Sequence, residues 1–291
     1  MLPRELIRKV RKLEIVTRRL VNQYLAGQYH SVFKGRGMDF DEVRLYQPGD
    51  EVRLIDWNVS ARTGDMYVKR FVEERELSVY LLVDASASLG FGTIAQRKCE
   101  IAAEIGALLA FSAIKNNDQV ALIVFTDQVE LFVPLKKGRR HVMRIISELL
   151  RFEARSSGTN IAAALDFLGR ISRRRGVAFL LSDFLGEGYQ RALHAMSKRH
   201  DLIPVVITDP LEHTMPDMGI VYFEDPESGD YYPIDTGSAR VRRRFQRLIE
   251  ERQNQRERAF RRSDLDFVAI RSHEPYLTPI VNYFRLRAAR R

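Results

Sequence analysis

One cysteine, Cys99, among 291 residues leaves no means of forming an internal disulfide, and the reducing cytoplasm is the expected compartment. Apolar runs are short, and none approaches the roughly 18 residues that a membrane-spanning helix needs. The first stretch, MLPRELIRKVRKLEIVTRRL, is broken by charge throughout and lacks the apolar core and small-residue cleavage site of a secretory signal. A soluble, intracellular protein is therefore expected. Phosphate-binding glycine loops are also missing: LGFGT at 89–93 has neither the lysine nor the full glycine set, and no dinucleotide fingerprint follows a strand. The six histidines (His30, His141, His194, His200, His213 and His273) show no zinc spacing, and a lone cysteine excludes a Cys/His zinc site. They are read as solvated helix residues, and Cys99 as a small packed residue in a helix.

What is present in quantity is apolar and basic. Apolar residues make up 45% of the chain, enough for a sizeable core. Charged residues make up 29% and leave a net charge of +9. The excess is gathered at 8–12, Arg18-Arg19, 136–140, 173–175, 242–244 and Arg290-Arg291. Such a balance is compatible with a basic scaffold on nucleic acid or an anionic membrane. The clusters are scattered, however, and no aromatic residues interleave with them as a stacking platform requires.

Periodicity divides the chain. Leu6, Val10, Leu13, Val16, Leu20 and Tyr24 recur at three- and four-residue spacing, which predicts one amphipathic helix over 3–26, with Pro3 in its first turn and Gly27 at its stop. Residues 28–77 are richer in glycine and short strand-like runs, MYVKRFVEE among them, and predict a small β-rich subdomain. From Ser78 the pattern becomes alternating strand and helix. VYLLVD (79–84), QVALIVF (119–125), VAFLLSD (177–183) and LIPVVIT (202–208) are buried runs without alternation, separated by helices at 94–115, 140–151, 161–174 and 187–200. VELFVP (129–134) follows its neighbour at hairpin distance and is expected as an antiparallel edge strand. A hairpin near 219–236, a basic helix over 238–262 with Phe245, Leu248 and Ile249 on one side, a strand at 265–270 and a helix at 275–288 complete the series. This is the pattern of an α/β fold: a doubly wound, mostly parallel sheet with helices on both faces. The expected division is a helix with a β-rich subdomain over 1–77, and the α/β domain over 78–291.

In such folds ligands sit beyond the carboxyl ends of the strands. VYLLVD ends in Asp84 and runs on as DASAS, so Asp84, Ser86 and Ser88 alternate and can turn inward together. The loop SSGTN, just before a helix, offers Thr159, and VAFLLSD ends in Asp183. Two carboxylates and three hydroxyls are hard oxygen donors suited to Mg²⁺. With so few negative ligands the ion's charge is under-compensated, and a carboxylate from outside would complete its shell. Serines capping the next helix and aspartates in turns are the plainer explanation of the same residues.

This arrangement resembles the metal-ion-dependent adhesion site of von Willebrand factor A domains, onto which Asp84, Ser86, Ser88, Thr159 and Asp183 map without departure. The resemblance implies Mg²⁺ or Mn²⁺ as the metal and a partner's Glu or Asp at the open position. Upstream, Gly35, Gly37, Phe40, Arg44, Tyr46, Gly49-Asp50, Arg53, Ile55-Asp56-Trp57, Ala61-Arg62 and Phe71 resemble the signature of the bacterial "domain of unknown function 58" family. That resemblance implies a MoxR-type AAA+ ATPase as partner and a chaperone-like role in assembling or maturing client proteins. Read from the residues alone, Asp50, Arg53, Asp56 and Arg62 are expected to form an ion-pair network around Trp57, either structural or facing a partner.

The leading expectation is a non-enzymatic, metal-dependent adaptor. A metal-dependent phosphohydrolase is the enzymatic alternative. It is demoted because an aspartyl-phosphate chemistry needs a second acid two residues after the nucleophile, where this chain has Ser86.

Overall fold

In a computed structural model, residues 4–25, 29, 39–72, 76–93, 96–224 and 230–290 are described. The chain opens with helix α1 (Arg4–Leu20), which runs into a π-helical turn (Val21–Leu25). Strands β1 (Asp39–Leu45) and β2 (Tyr67–Val72) pair antiparallel around a short helix α2 (Trp57–Thr63). There follow β3 (Ser78–Asp84), α3 (Ala87–Gly90), α4 (Lys98–Lys115), β4 (Gln119–Phe125), β5 (Val129–Lys136), α5 (Arg139–Arg151) and α6 (Ile161–Ile171). Then come β6 (Val177–Ser182), α7 (Gln190–Arg199), β7 (Asp201–Thr208), β8 (Ile220–Glu224), β9 (Tyr231–Asp235), α8 (Ala239–Arg262), β10 (Val268–Arg271) and α9 (Leu277–Ala289).

Six strands form the main sheet in the order β10-β7-β6-β3-β4-β5, parallel except for β5, which pairs antiparallel with β4 at one edge. The period of two along each strand feeds two cores. Val79, Leu81 and Val83 join Val120, Leu122, Phe179 and Val205 on one face, covered by α1, α4, α5 and α9. Tyr80 and Leu82 join Ala121, Ile123 and Leu180 on the other, covered by α6, α7 and Phe260 of α8. Both faces are covered, so the strands need no polar side, which is why their sequences read as continuous apolar runs. Helix α4 is apolar almost all round and buries thirteen of its residues between the sheet and α1 and α5. This is the α/β architecture, a mostly parallel sheet with helices on both faces, that the sequence pattern implied.

The structure departs from expectation at several points. The buried side of the first helix carries Val10, Glu14, Thr17 and Val21, while Val16 is 43% and Tyr24 40% exposed. Glu14 is drawn inward because Arg139 of α5 meets it at 2.6 Å. Between β1 and β2 of the expected β-rich subdomain lies α2, a helix the sequence did not announce. Asp56 caps it by accepting from Asn58 N and Val59 N, and Gly64 ends it in the left-handed region, with φ of 85°. The network around Trp57 is not formed as drawn. Asp50 pairs with Arg44 at 2.6 Å, Asp56 with Lys69 at 3.5 Å, and Trp57 is 64% exposed. Gly27, Gly35 and Gly37 lie outside the described residues. The hairpin is present, with β8 antiparallel to β9 and exposed Ile220, Tyr222, Tyr231 and Tyr232. In α8, Leu248 points to solvent and burial comes instead from Ala259 and Phe260. The late strand starts three residues later than expected, because Leu265 N donates to Phe260 O in a helix-ending turn.

Among the described histidines, two are buried rather than solvated. His141 bonds Val120 O at 2.8 Å, and His200 bridges the Ser172 hydroxyl and Gly176 N. A buried carboxyl also clamps the sheet: Asp118 accepts from Leu77 N at 2.9 Å, tying the start of β4 to the start of β3. Burial pushes the Asp118 carboxyl up to about 6, and the fully buried Tyr29 phenol lies beside it. A carboxyl whose folded value is raised contributes stability that is fully present below its unfolded value and is lost as pH rises through about 6. Asp118→Asn keeps an acceptor for Leu77 N, so its unfolding free energy is expected to fall less steeply than wild type between pH 4 and 7. Urea titrations across that range check the slope.

Candidate metal centre

The sheet order places a topological switch beside β3. The chain leaves β3 towards β4 through α4 on one face, and later returns to the other side of β3 as β6, whose following helix α7 lies on the opposite face. Connections diverging this way leave a crevice at the carboxyl ends of β3 and β6. Their register, Val83 opposite Leu181, brings Asp84 and Asp183 to that crevice.

Asp84 is buried. Its Oδ1 accepts from Ser86 N at 2.9 Å and its Oδ2 accepts from the Ser182 hydroxyl at 2.6 Å. Burial, and then the charge of Asp183, push its carboxyl up to about 6 despite those hydrogen bonds. The Asp84–Ser86 bond closes an Asx turn that reverses the chain into α3. This brings the Ser86 and Ser88 hydroxyls together at 3.1 Å. The two serines and Asp84 therefore form one cluster, as their alternation in DASAS implied.

The Thr159 loop is fixed from three sides. Ala87 N donates to Ser157 O at 3.0 Å, Asn160 N to Thr126 O at 2.7 Å, and Glu130 of β5 accepts from Arg155 N, Ser156 N and the Thr126 hydroxyl. Gly186 passes so close that an added Cβ would touch Thr159 at 3.4 Å. The loop that carries Thr159 thus lies between the DASAS turn and the loop after Asp183. Glu130 was not singled out from sequence, since an acidic residue on an edge strand ordinarily faces solvent. Glu130→Ala would leave the Arg155 and Ser156 N–H groups without their acceptor and the Thr126 hydroxyl with Asp127 alone. The expected cost is about 1–3 kcal/mol of unfolding free energy, measured by urea titration.

Asp183 is buried and its surroundings are the least expected feature. Its Oδ1 accepts from Leu185 N at 3.2 Å, and its Oδ2 accepts from Lys98 Nζ at 2.9 Å. Lys98 is fully buried and also donates to Glu212 Oε1. Glu212 is itself held by Asp209 N at 2.9 Å. Burial alone pulls the Lys98 ammonium down, but Asp183 and Glu212 outweigh it and hold the group above its ordinary value. The turn after Asp183 is strained: Phe184 is a buried, non-glycine residue in the left-handed region, with φ of 58°. It is held there by its N–H to Ser182 Oγ at 3.0 Å and by ring packing on Tyr189 and Phe260.

The donor set is uniformly hard oxygen, with two carboxylates and the hydroxyls of Ser86, Ser88 and Thr159. That chemistry fits a small divalent cation, and the repulsion between two buried carboxylates is one such an ion would relieve. Among the described residues no three His, Cys, Asp or Glu side chains gather as a metal cage, so an ion here would rest on hydroxyls as much as on charge.

Residues 42–256 match the family model described as "Protein of unknown function DUF58". The chain belongs to the DUF58 family. Relatives include Rv1480 of Mycobacterium tuberculosis and Mb1516 of Mycobacterium bovis, each 32% identical over 282 residues, covering 96% of this chain and 88% of the relative. YeaD of Bacillus subtilis is 26% identical over 145 residues, 50% of this chain and 34% of that protein. Among solved structures, BatB from Bacteroides thetaiotaomicron is 16% identical with a TM-score of 0.47, over 74% of this chain and all of that one. The SpRpn10 VWA domain is 13% identical with a TM-score of 0.40, over 72% of this chain and 95% of that one. In this DUF58 chain, no helix among the described residues is long and apolar enough to cross a membrane.

Proposed function

We propose that this DUF58 protein is a non-enzymatic adaptor that binds a partner through a divalent metal ion. The observation that carries the reading is the clustering of Asp84, Ser86 and Ser88 at the end of β3, with Asp183 at the end of the neighbouring strand and the Thr159 loop bonded across to Ala87. Asp84, Ser86, Ser88 and Thr159 would hold Mg²⁺ or Mn²⁺, with Asp183 acting directly or through water. When bound, the ion would offer an open position to an acidic side chain from outside the chain. The chain's own part is to keep that set fixed: the Asx turn aims the serines, and Glu130 and Thr126 hold the Thr159 loop.

The family resemblance points to a MoxR-type AAA+ ATPase as the partner, with ATP hydrolysis belonging to it, and to a cytoplasmic, chaperone-like role on client proteins. Ser86, standing where a phosphatase would carry its second acid, favours binding over phosphoryl chemistry.

The test is capture of the purified ATPase by this protein in Mg²⁺. Binding is expected to be lost in EDTA, restored by added Mg²⁺, and absent in Asp84→Ala, with the circular dichroism spectrum unchanged. Capture undiminished by chelator would end this reading.

A further inference from the structure

Lys98 is not used by the adaptor reading, yet it is one of the most costly placements in the molecule. A lysine ammonium with no solvent exposure must be paired to be tolerated. Here it lies between two carboxylates, Asp183 on the proposed metal centre and Glu212 on the turn after β7. Glu212 is fixed by Asp209 N, and Asp209 in turn holds the Thr93 N–H and hydroxyl and the Ser272 hydroxyl. The ammonium is therefore held at a defined place and does not roam.

We infer that Lys98 is a resident counter-cation that competes with the divalent ion for Asp183 and so sets the metal affinity of the centre low. The inference rests on the metal-binding reading above. Asp183 Oδ2 is committed to Lys98 and its Oδ1 to Leu185 N, so most of the negative charge that Asp183 would offer a metal is already balanced. Glu212 acts in the opposite sense: it draws on the same ammonium and weakens its hold on Asp183. A weakly held ion depends on a carboxylate from outside to complete its shell, which makes metal and partner binding mutually supporting.

Two substitutions then have opposite effects on Mn²⁺ binding to the full chain, followed by electron paramagnetic resonance of the free ion. Lys98→Met releases Asp183 and is expected to tighten binding about tenfold or more. Glu212→Gln leaves the ammonium to Asp183 alone and is expected to weaken binding several-fold. A purely structural role for the triad would weaken binding in both. Asp84→Asn serves as the control that reports on the centre itself. If Asp84→Asn abolishes binding but Lys98→Met binds no more tightly than wild type, the counter-cation role is overturned and the metal centre stands. If neither wild type nor Lys98→Met takes up Mn²⁺, both fall. Should Lys98→Met not fold, Lys98→Gln, neutral but still able to donate to Asp183 and Glu212, takes its place: tighter binding than wild type supports the counter-cation role, and unchanged or weaker binding overturns it.

Discussion

Gly176→Ala is expected to remove about 3 kcal/mol or more of folding free energy, because the methyl group has nowhere to go. A Cβ at this position would overlap the Ser78 carbonyl oxygen and lie 2.9 Å from Tyr80 Cε2. Neither neighbour can yield cheaply. Ser78 opens β3, which is paired on both sides, and Tyr80 is buried in the second core against the His200 ring. Gly176 itself is held: its N–H donates to His200 Nδ1 at 3.2 Å, and its carbonyl accepts from Asp201 N at 2.9 Å. Relief would require β6 to move away from β3, against the pairing that starts at Val79 opposite Val177. Gly90→Ala is the control, since a Cβ there meets nothing within 4 Å and its φ is not positive. Its urea midpoint is expected to stay near wild type, while that of Gly176→Ala falls by about 1 M or more.

The main sheet was legible because burial on both faces leaves a one-dimensional trace. Each of β3, β4, β6 and β7 is mostly apolar without alternation, too short for a buried helix, and set between stretches of helical period. The edge strand β5 showed itself by its short connection to β4. Helix α2 did not, because WNVSART carries no apolar period and buries none of its residues. Its caps, Asp56 and Gly64, were the only trace, and seven residues between caps fit a turn equally well. The stripe of α1 was legible in part: Val10, Leu13 and Leu20 pack on the core, but the fully buried line runs through Glu14, Thr17 and Val21 and leaves Val16 and Tyr24 exposed. Nothing in the sequence signals the burial of Glu14, because its partner Arg139 lies 125 residues away and only the tertiary fold brings them together.

At the candidate centre, residue types and spacing located Asp84, Ser86 and Ser88 because all three sit on one local turn. Glu130 and Lys98 were not found because their roles are made by contacts across the sheet. For Lys98 a signal was present. It stands three, four and seven residues before Ile101, Ala102 and Ile105, on the face that α4 turns to the core. A lysine on a buried face demands a carboxylate partner, and the strand-end Asp183 was already a named candidate for attention.

Asp84→Asn is expected to abolish metal binding while leaving the metal-free protein as stable as wild type, and the pairing of those two outcomes is what gives the test its force. Even at about 6 Å, farther than direct coordination, a single charge and a divalent ion attract by about 5 kcal/mol at an effective dielectric near 20, and half of that alone corresponds to roughly a hundredfold in affinity. Asparagine loses the charge but keeps an acceptor for Ser86 N, and its amide can face Ser182 Oγ. Without a metal the charge is a burden: Asp84 is buried beside Asp183, and burial disfavours its ionised form. Its removal is therefore expected to lower the metal-free unfolding free energy by less than about 1 kcal/mol, or to raise it. Isothermal calorimetry with Mn²⁺ and urea titration in EDTA measure the two quantities on the same protein. Large losses of both would make Asp84 a structural residue of the β3 turn, whereas loss of metal uptake alone assigns its buried charge to the ion.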